Sequence, residues 1–246
     1  MAIAARRCYI RATMISTTSV DPDFFSDLAR PTSFFIARHG ETAANAESRI
    51  QGRSEFSLNE TGRAQACDLA SYLSAKGVRR LLHSPQARAA QTAAIVASGL
   101  GLEAAEPEPL LMELDTGRFT GLTWDEIRER YPEEYEAFGY RSWEAVPDAE
   151  SAEELYRRAV GAWGRLKAAA ADAGGNVAAV SHGGTIQWLV RVTFGCRAWM
   201  PLFTTGNCGV FELRVSTEGA GRPAYMQWKE VNFLPGGEAS RTPPVF

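Results

Sequence analysis

The feature that most constrains the fold of this chain is the alternation of short apolar runs with longer amphipathic patterns. Four apolar runs have the length and residue types of buried strands, at residues 34–37, 78–82, 105–111 and 176–180. Helical patterns separate these runs along the chain. Because strands that alternate with helices assemble into parallel sheets, we predict an α/β fold with a mostly parallel central sheet.

Residues that favour helix ends predict where the helices begin and stop. Asn59 is predicted to cap the helix after the first strand, and Ser151 begins another helix with a capping box. Ser84 is predicted to cap the helix after the second strand, with Pro85 in its first position and Gly99 at its end. Further elements are predicted as helices at 124–130, 133–138 and after 183, and as a closing hairpin or edge pair at 210–215 and 225–231.

Composition excludes several classes of partner. The formal net charge is −3 and the pI about 5.7, so the chain has no basic field suited to nucleic acid or to an anionic membrane. No apolar run approaches the length of a membrane span. The four cysteines are Cys8, Cys67, Cys196 and Cys208. They form neither a C-x-x-C pair nor a zinc-binding spacing with the histidines, which favours a reduced, intracellular protein.

The first twenty residues leave two interpretations of localisation open. They contain Arg6, Arg7 and Arg11, several Ser and Thr residues and no acidic residue, as in an organellar transit peptide. They contain no long apolar region of the kind that directs secretion. We favour a cytoplasmic protein with a nonstandard leader, and organellar targeting by residues 1–20 stays the alternative.

Polar and charged residues follow the predicted strands where each strand ends. Arg38 and His39 follow the first strand, Arg88 lies shortly after the second, Glu113 follows the third, and His182 follows the fourth. Ligands of open α/β sheets bind outside the carboxyl ends of the parallel strands. We therefore expect these five side chains to converge on one anion-binding site.

Each histidine has a plain interpretation and a functional one. His39 could be an ordinary loop histidine, but its place in R-H-G-E-T directly after an apolar strand favours a phosphate-handling role, with Gly40 letting the backbone approach the ligand. His182 could simply cap the next helix. Alternatively, His182 and the backbone N–H of Gly183 face an anion at the positive end of that helix. His83 has no evident partner and is predicted to be structural.

Several motifs together resemble one known family. The similarity rests on Asn45 and on the segments R-H-G-E-T (38–42), R-I-Q-G (49–52), L-N-E-T-G-R-A-Q-A (58–66), S-P-Q-A-R-A-A-Q-T-A (84–93), E-L-D-T-G-R-F-T-G-L-T (113–123) and S-H-G-G-T-I (181–186). Between about residues 33 and 215 the chain resembles the histidine phosphatase superfamily, the phosphoglycerate-mutase-like proteins. The resemblance implies a three-layer α/β/α sandwich, a phosphohistidine intermediate, and neither a metal nor an organic cofactor.

The resemblance also implies roles for the strand-end residues. His39 corresponds to the nucleophile, Arg38 and Arg88 to the phosphate clamps, and His182 completes the phosphate pocket with the help of Asn45. This assignment is chemically consistent, because two guanidinium groups match the charge of the transferring phosphoryl oxygens. The same two cations should keep the attacking imidazole of His39 neutral.

Glu113 corresponds to the family's proton donor. The pattern E-x-x-x-G-x-x-x-G is intact, with Gly117 and Gly121 at its two glycine positions. A carboxylic acid held protonated beside the bridging oxygen is the expected chemistry for an alkoxide leaving group. On charge alone, Glu108 and Asp115 could compete with Glu113 for this role.

Substrate identity is expected to depend on the segment 119–150 and on residues near the phosphate site. Gln51, Gly52, Trp124 and Arg141 are the predicted substrate-binding residues. The segment is rich in aromatic residues, which could form helix core or an aromatic-lined lid over the phosphate. The sequence does not decide between these two interpretations.

The sequence therefore predicts an N-terminal extension (1–32), a histidine phosphatase domain (33–232) and a loosely ordered tail (233–246). The favoured function is a phosphomonoesterase acting on a small phosphorylated metabolite. A phosphoglycerate mutase and a noncatalytic phospho-ligand-binding protein are the alternatives. The mutase is disfavoured because only 68 residues separate Glu113 from His182, and the first part of that interval is acidic. Nothing in the sequence indicates an oligomeric state.

Overall fold

The computed structural model describes residues 19–217 and 222–237. Most of the predicted leader and of the predicted tail lies outside these residues. The helices are α1 (Ala43–Ala46), α2 (Glu60–Ser74), α3 (Ala87–Leu100), α4 (Trp124–Arg130), α5 (Pro132–Arg141), α6 (Ala152–Ala173) and α7 (Gly183–Val192). The strands are β1 (Thr32–Arg38), β2 (Val78–His83), β3 (Glu106–Pro107), β4 (Asn176–Ser181), β5 (Val210–Ser216) and β6 (Tyr225–Phe233).

One mixed sheet organises the described residues, with the strand order β3-β2-β4-β1-β5-β6. The four strands β3, β2, β4 and β1 are parallel to one another, whereas β5 and β6 form an antiparallel pair at one edge. The prediction of a mostly parallel sheet with a closing edge pair is therefore confirmed. Strand β4 lies between β2 and β1, so the carboxyl ends of these three strands are neighbours.

Two layers of helices cover the sheet, and strand β1 shows why. Alternate side chains of a strand point to opposite faces. Phe34 and Ile36 pack into the core that α6 and α7 share, whereas Phe35 and Ala37 pack into the core beneath α2 and α3. All of β1 is consequently buried, as an apolar run without polar alternation predicts. This arrangement is the three-layer α/β/α sandwich.

Residues 20–28 pack onto this sandwich. The ring of Phe25 lies 5.8 Å from Trp163 of α6 in an edge-to-face arrangement, and Phe24 is buried beside it. Lys167 donates hydrogen bonds to the Phe24 carbonyl and to the carboxylate of Asp27. The described part of the predicted extension thus belongs to the same packed core. The domain limits themselves stay a prediction.

Two of the predicted helix starts are confirmed. The side chain of Asn59 accepts a hydrogen bond from the Gly62 N–H at 2.8 Å and caps α2. Ser151 and Glu154 form the predicted capping box at the start of α6. These ends were predictable because their capping partners lie only three residues away in the sequence.

The predicted limits of the helix after β2 are wrong. Helix α3 begins at Ala87 with Gln86 at its N-cap, and Gly101 instead of Gly99 ends it. The hydroxyl of Ser84 is instead 2.7 Å from the Nε2 atom of His182, a partner 98 residues away. The same hydroxyl also accepts a hydrogen bond from the Gln86 N–H at 3.3 Å, so Ser84 contacts the turn just before the helix.

The predicted third strand is much shorter than expected. Only Glu106 and Pro107 pair with β2, and a 3-10 turn follows at Pro109–Leu111. Proline lacks the N–H that a strand ladder requires, so two prolines in this stretch limit the pairing. The chain then turns toward Glu113 at the carboxyl end of the sheet.

Two other features of the described residues bear on the sequence predictions. Cys67, Cys196 and Cys208 are free thiols, and Cys8 lies outside the described residues. None of the described helices is both long enough and apolar enough to cross a bilayer.

Candidate active site

The carboxyl ends of β1, β2 and β4 form the floor of the candidate site. Arg38 at the end of β1 is in register with Ser181 of β4, and His83 of β2 is in register with Val180. The residues that come directly after these strands, among them His39 and His182, therefore emerge side by side, as the sequence predicted. His39, directly after β1, lines a narrow cavity together with Arg38, Asn45, Arg49, Ile50, Gln51, Gly52, Arg88 and Glu113.

Two fixed partners set the tautomer of His39. Its Nδ1 atom lies 2.7 Å from the Gly40 carbonyl oxygen, which can only accept a hydrogen bond. Its Nε2 atom lies 3.2 Å from the Nε atom of Arg88, which can only donate. The proton therefore resides on Nδ1, and the lone pair of Nε2 is available at the cavity. Burial, reinforced by the positive charges of Arg88 and Arg38, holds the pKa of His39 well below its usual value.

The two arginines are buried beside this imidazole. Arg88 donates to the carbonyl oxygens of Ser54 and Gly52, each at 2.8 Å, and Arg38 donates to the carbonyl of Thr205. Burial lowers the pKa of Arg88 to about 10, partly offset by the carboxylate of Glu113. Burial also lowers the pKa of Arg38. Arg88 thus stays charged at neutral pH with little water around it, which strengthens its attraction for an anion.

Three buried nitrogen atoms of this site have no hydrogen-bond partner among the described residues. They are Nε of Arg38, Nδ2 of Asn45 and Nδ1 of His182. A buried polar atom without a partner costs free energy and calls for an explanation. All three residues belong to the predicted phosphate site. An anion with several acceptor oxygens would satisfy these atoms together.

The amide of Asn45 is oriented by its neighbours. Its Oδ1 atom accepts from the backbone N–H and the hydroxyl of Thr42, at 3.2 and 3.1 Å, and from Nδ2 of Asn207 at 3.3 Å. Three donors on Oδ1 leave Nδ2 as the unpaired donor. Asn207 also donates to the carbonyl of His39 at 3.0 Å, so it connects Asn45 to the candidate nucleophile.

The two histidine rings lie close together. The ring centroids of His39 and His182 are 5.1 Å apart, and both side chains are buried. Burial and then the charge of Arg88 hold the pKa of His182 well below its usual value. If the hydroxyl of Ser84 donates to Nε2 of His182, the unpaired Nδ1 atom carries a proton and is a donor.

Glu113 contacts the start of helix α7. Its two carboxylate oxygens accept from the backbone N–H of Thr185 at 3.1 Å and of Gly184 at 3.3 Å. Gly184 permits this approach, because a Cβ there would lie 2.0 Å from Leu114 and 2.8 Å from the Glu113 carboxylate. The acceptor at this helix end is therefore the side chain of Glu113 itself. Binding of phosphate by the Gly183 N–H stays a prediction.

Gly40 has a packing role that the sequence did not indicate. A Cβ at this position would lie 2.4 Å from the carbonyl oxygen of Gly62, at the start of α2. Gly40 is thus needed for close packing between the loop of His39 and helix α2, and its part in the approach of a ligand stays a prediction. Its N–H donates to Thr92 of α3 at 3.0 Å, so both helices of this layer hold the loop.

The predicted substrate residues separate into two groups. Gln51 and Gly52 line the cavity, whereas Trp124 and Arg141 are not among the lining residues. Trp124 packs against Phe138, with ring centroids 4.8 Å apart. Arg141 is exposed and donates to the carbonyl of Glu144.

Most aromatic side chains of the segment 119–150 form a cluster of their own. Phe119 and Trp143 are fully buried, and Phe119 lies within about 6 Å of the rings of Trp124, Tyr131 and Phe138 as well. The backbone of this segment is tied to the cavity wall, where Gly121 donates to the Ile50 carbonyl at 2.7 Å and Ile50 donates back to Leu122. The aromatic side chains are thus helix core, as the plainer interpretation had it.

Sequence reasoning missed four residues of the site. Arg49 lines the cavity, Ser84 contacts His182, Gln86 contacts the loop of Glu113, and Asn207 orients Asn45. Arg49, Ser84 and Gln86 lie inside motifs that carried the family resemblance, which is the signal that could have identified them. Asn207 lies outside those motifs.

The acidic residues that could compete with Glu113 lie elsewhere. Glu108 forms an ion pair with Arg165 of α6, at 2.8 Å. Asp115 pairs with Arg53 at 3.7 Å and accepts from the Gly117 N–H. Neither residue lines the cavity, whereas Glu113 does. Within the described residues no group of three or more His, Cys, Asp or Glu side chains could hold a metal ion.

Comparison with known proteins assigns the family. Residues 34–228 match the model of the histidine phosphatase superfamily (branch 1). The chain belongs to this superfamily. The chain spans 50% of the Mycobacterium tuberculosis protein named bifunctional protein Rv2228c, with 32% identity over 183 residues that make up 74% of this chain. Because that relative is twice as long as the match, the activity of the whole relative cannot be transferred to this chain.

Other members of the superfamily include phosphatases and mutase-like proteins. The metal-independent phosphoserine phosphatase of Arabidopsis thaliana is 34% identical over 166 residues, which cover 66% of this chain and 69% of that protein. Phosphoglycerate mutase-like protein 4 of Arabidopsis thaliana is 34% identical over 157 residues, with 63% and 67% covered. The solved mycobacterial glucosyl-3-phosphoglycerate phosphatase Rv2419c, in complex with VO3, superimposes with a TM-score of 0.72 at 26% identity, covering 83% of this chain and 99% of that one.

Proposed function

We propose that the chain is a phosphomonoesterase that forms a covalent phosphohistidine at His39. The observation that carries the proposal is the set of buried, unpaired nitrogen atoms on Arg38, Asn45 and His182. They surround an imidazole whose Nε2 lone pair is fixed by the partners of His39. A tetrahedral anion with three free oxygens suits these donors, and Arg88 supplies further N–H groups beside them.

In the first step, Nε2 of His39 attacks phosphorus while the bond between phosphorus and the leaving oxygen breaks. Arg88 exchanges its hydrogen bond to Nε2 for one to a phosphoryl oxygen, which frees the lone pair. The leaving oxygen takes the bonding electrons and needs a proton, which the carboxyl group of Glu113 donates. The positive charge that develops on the imidazole is offset by the bound phosphoryl group.

In the second step, water attacks the phosphohistidine. The carboxylate of Glu113 accepts a proton from this water, the bond between nitrogen and phosphorus breaks, and inorganic phosphate leaves. His39 and Glu113 return to their initial states, so atoms and charge balance over the cycle. A covalent route divides one very slow hydrolysis into two faster steps, which matters because phosphate monoesters require accelerations up to about 10²¹-fold.

The substrate class follows from the cavity and the relatives. The cavity is narrow and its lining includes His39 and both arginines, which suits a phosphoryl group with a small adjoining fragment. Relatives are named for phosphoserine and for glucosyl-3-phosphoglycerate, both phosphorylated metabolites. We propose a small phosphorylated metabolite as the substrate, bound near Gln51 and Gly52.

The test is a rapid-quench measurement with phosphoryl-labelled p-nitrophenyl phosphate. The wild-type protein should give an acid-labile, base-stable phosphoenzyme, and His39→Ala should give none. Burst amplitude should correspond to about one phosphoryl group per chain. A fully active His39→Ala variant would contradict the proposal. A panel of phosphorylated metabolites assayed for phosphate release then identifies the substrate.

A further inference from the structure

Gln86 is a buried side chain whose two ends contact opposite walls of the site. It is only 1% exposed and occupies the N-cap position of α3, two residues before Arg88. Its Oε1 atom accepts from the backbone N–H of Glu113 at 2.7 Å, and its Nε2 atom donates to the Gly52 carbonyl at 3.1 Å. The amide therefore links the loop of the proton donor to the loop that lines the cavity.

Helix capping does not explain why a glutamine occupies this position. The side chain of Gln86 makes no capping hydrogen bond to α3. An alanine or a leucine could occupy an N-cap that has no side-chain bond, but neither could satisfy the Glu113 N–H. A buried backbone N–H without an acceptor is costly, so the amide oxygen of Gln86 has a specific partner to serve.

The carbonyl of Gly52 makes the link relevant to the phosphate site. It accepts a hydrogen bond from Arg88 at 2.8 Å as well as the bond from Gln86. Two hydrogen bonds thus connect Glu113 to the atom that also fixes the phosphate clamp. The side of the Glu113 loop away from the cavity is held differently, by Arg158, which donates to the Met112 carbonyl at 2.6 Å.

We propose that Gln86 is a positioning residue that fixes the carboxyl group of Glu113 relative to the phosphoryl group held by Arg88. This inference rests on the proposed function, because it gives Glu113 the role of proton donor. Reacting groups lose about 100-fold in rate when they are misplaced by about 1 Å. Proton donation to the leaving oxygen should therefore be the step that suffers when the link is removed.

The experiment compares leaving groups. A series of aryl phosphates, from p-nitrophenyl phosphate to 4-methoxyphenyl phosphate, is hydrolysed by wild type, Gln86→Leu, Glu113→Gln and the double variant. Leucine keeps the volume of glutamine and removes both hydrogen bonds. In Gln86→Leu we expect kcat/KM, which reports the step that releases the leaving group, to fall about 10- to 100-fold for the poorest leaving group and less than about 3-fold for p-nitrophenyl phosphate, whose phenolate needs little protonation. The double variant should be no slower than Glu113→Gln.

A matched control lies on the same helix. Gln91 also accepts a hydrogen bond from a backbone N–H, that of Leu58 at 2.8 Å, and donates to the Ser57 hydroxyl. Gln91→Leu removes an equivalent pair of bonds without touching the loop of Glu113. The Gln91→Leu variant should show the same dependence of kcat/KM on the leaving group as wild type, even if its free energy of unfolding is lower.

Two outcomes would overturn the inference. One is an equal loss of kcat/KM across the whole series in Gln86→Leu, and the other is a kcat/KM of the double variant that lies below that of Glu113→Gln by the full factor of the single change. Should Gln86→Leu not fold, Gln86→Met provides the same comparison with a more adaptable side chain. If the loss of rate in Glu113→Gln is the same for every leaving group, the proposed role of Glu113 fails. This result is distinguishable from a failure of the inference about Gln86 alone.

Discussion

The Nε atom of Arg88 lies 3.2 Å from the Nε2 atom of His39. A guanidinium can only donate, so this contact keeps the nucleophilic nitrogen unprotonated and also places a positive charge beside it. Protonation of His39 would replace an attractive contact with repulsion between two cations. We therefore expect the same arginine both to bind the phosphoryl group and to prepare the nucleophile.

We expect the activity to persist to low pH. The pKa of His39 is held well below its usual value of 6.5, chiefly by burial and then by Arg88 and Arg38. The neutral, reactive form is thus present both at neutral pH and some way below pH 6.5, and kcat/KM should fall only at lower pH. In Arg88→Met one of the lowering charges is lost, so the acid limb should move toward higher pH. The measurement is kcat/KM for p-nitrophenyl phosphate against pH.

That profile needs one control. The same pair of profiles is measured in the Glu113→Gln background, which removes the carboxyl group that lines the cavity from the comparison. If kcat/KM of the protein with Arg88 intact already falls at or above pH 6.5, the tautomer and charge assigned to His39 are contradicted.

Folding stability should also depend on these histidines. The pKa values of His39 and His182 are lowered in the folded state, so the unfolded chain binds protons more readily. Their contribution to stability is complete above about pH 6.5 and is lost as the pH falls below it. Each group contributes a slope of up to about 1.4 kcal/mol per pH unit. Urea unfolding between pH 7.5 and 5 should show this decline, and His182→Gln should make it shallower; an unchanged slope would count against the buried, neutral His182.

Ser84 should support His182. Its hydroxyl lies 2.7 Å from Nε2 of His182, and both side chains are fully buried. Ser84→Ala leaves a buried imidazole nitrogen unpaired, which should cost about 1–3 kcal/mol of stability. The ring also loses the partner that orients it, so inhibition by inorganic phosphate should weaken. Ser84→Cys has a side chain of similar size that is a weaker donor, so its inhibition by inorganic phosphate should lie between that of wild type and that of Ser84→Ala. If Ser84→Ala is inhibited as strongly as wild type, the contact is dispensable.

Strand ends made the central site predictable. Arg38, His39, Arg88, Glu113 and His182 each follow an apolar run, and parallel strands deliver such residues to one edge. Because the fold rule relates distant parts of the chain, five residues could be brought together without knowledge of any contact between them. The apolar runs of the parallel strands and the caps at Asn59 and Ser151 were predictable from patterns within a few residues of each element.

Contacts between side chains could not be predicted in this way. Ser84 satisfies a capping pattern, yet its hydroxyl contacts a histidine 98 residues away, and the helix begins only at Ala87. Trp124 and Arg141 were predicted from residue type alone, which does not specify the face of a helix that meets the cavity. Gln86 was unremarked because nothing nearby in the sequence indicates that its partners are Glu113 and Gly52.

Activity should not require a divalent metal. The described residues contain no cluster of His, Cys, Asp or Glu side chains that could hold one, and two arginines supply positive charge at the candidate phosphate site. Dialysis against EDTA should leave the rate of p-nitrophenyl phosphate hydrolysis nearly unchanged. Loss of activity that one particular metal restores would require a different mechanism.

The charges around the cavity distinguish a phosphatase from a mutase. A mutase must retain a bisphosphorylated intermediate, exclude water and bind a second anionic group beside the first. Arginines outside the two clamps are engaged by carboxylates: Arg49 pairs with Glu126 at 2.8 Å, and Arg53 pairs with Glu150 at 3.2 Å. A second phosphate or carboxylate would have to displace these acidic partners. We therefore expect the site to accept one phosphoryl group and no second anion.

We accordingly predict net release of phosphate and negligible interconversion of 3- and 2-phosphoglycerate. Without a second anion site, an intermediate that has received a phosphoryl group is not retained, and water reaches the phosphohistidine. The measurement is product analysis by NMR with 3-phosphoglycerate, primed with 2,3-bisphosphoglycerate, and His39→Ala serves as the control for contaminating activity. Fast formation of 2-phosphoglycerate without free phosphate would establish the mutase instead. In that case Glu126→Gln, which removes one of the two carboxylates paired with Arg49, should accelerate the interconversion further, whereas in a phosphatase it should alter KM for doubly anionic substrates without producing 2-phosphoglycerate.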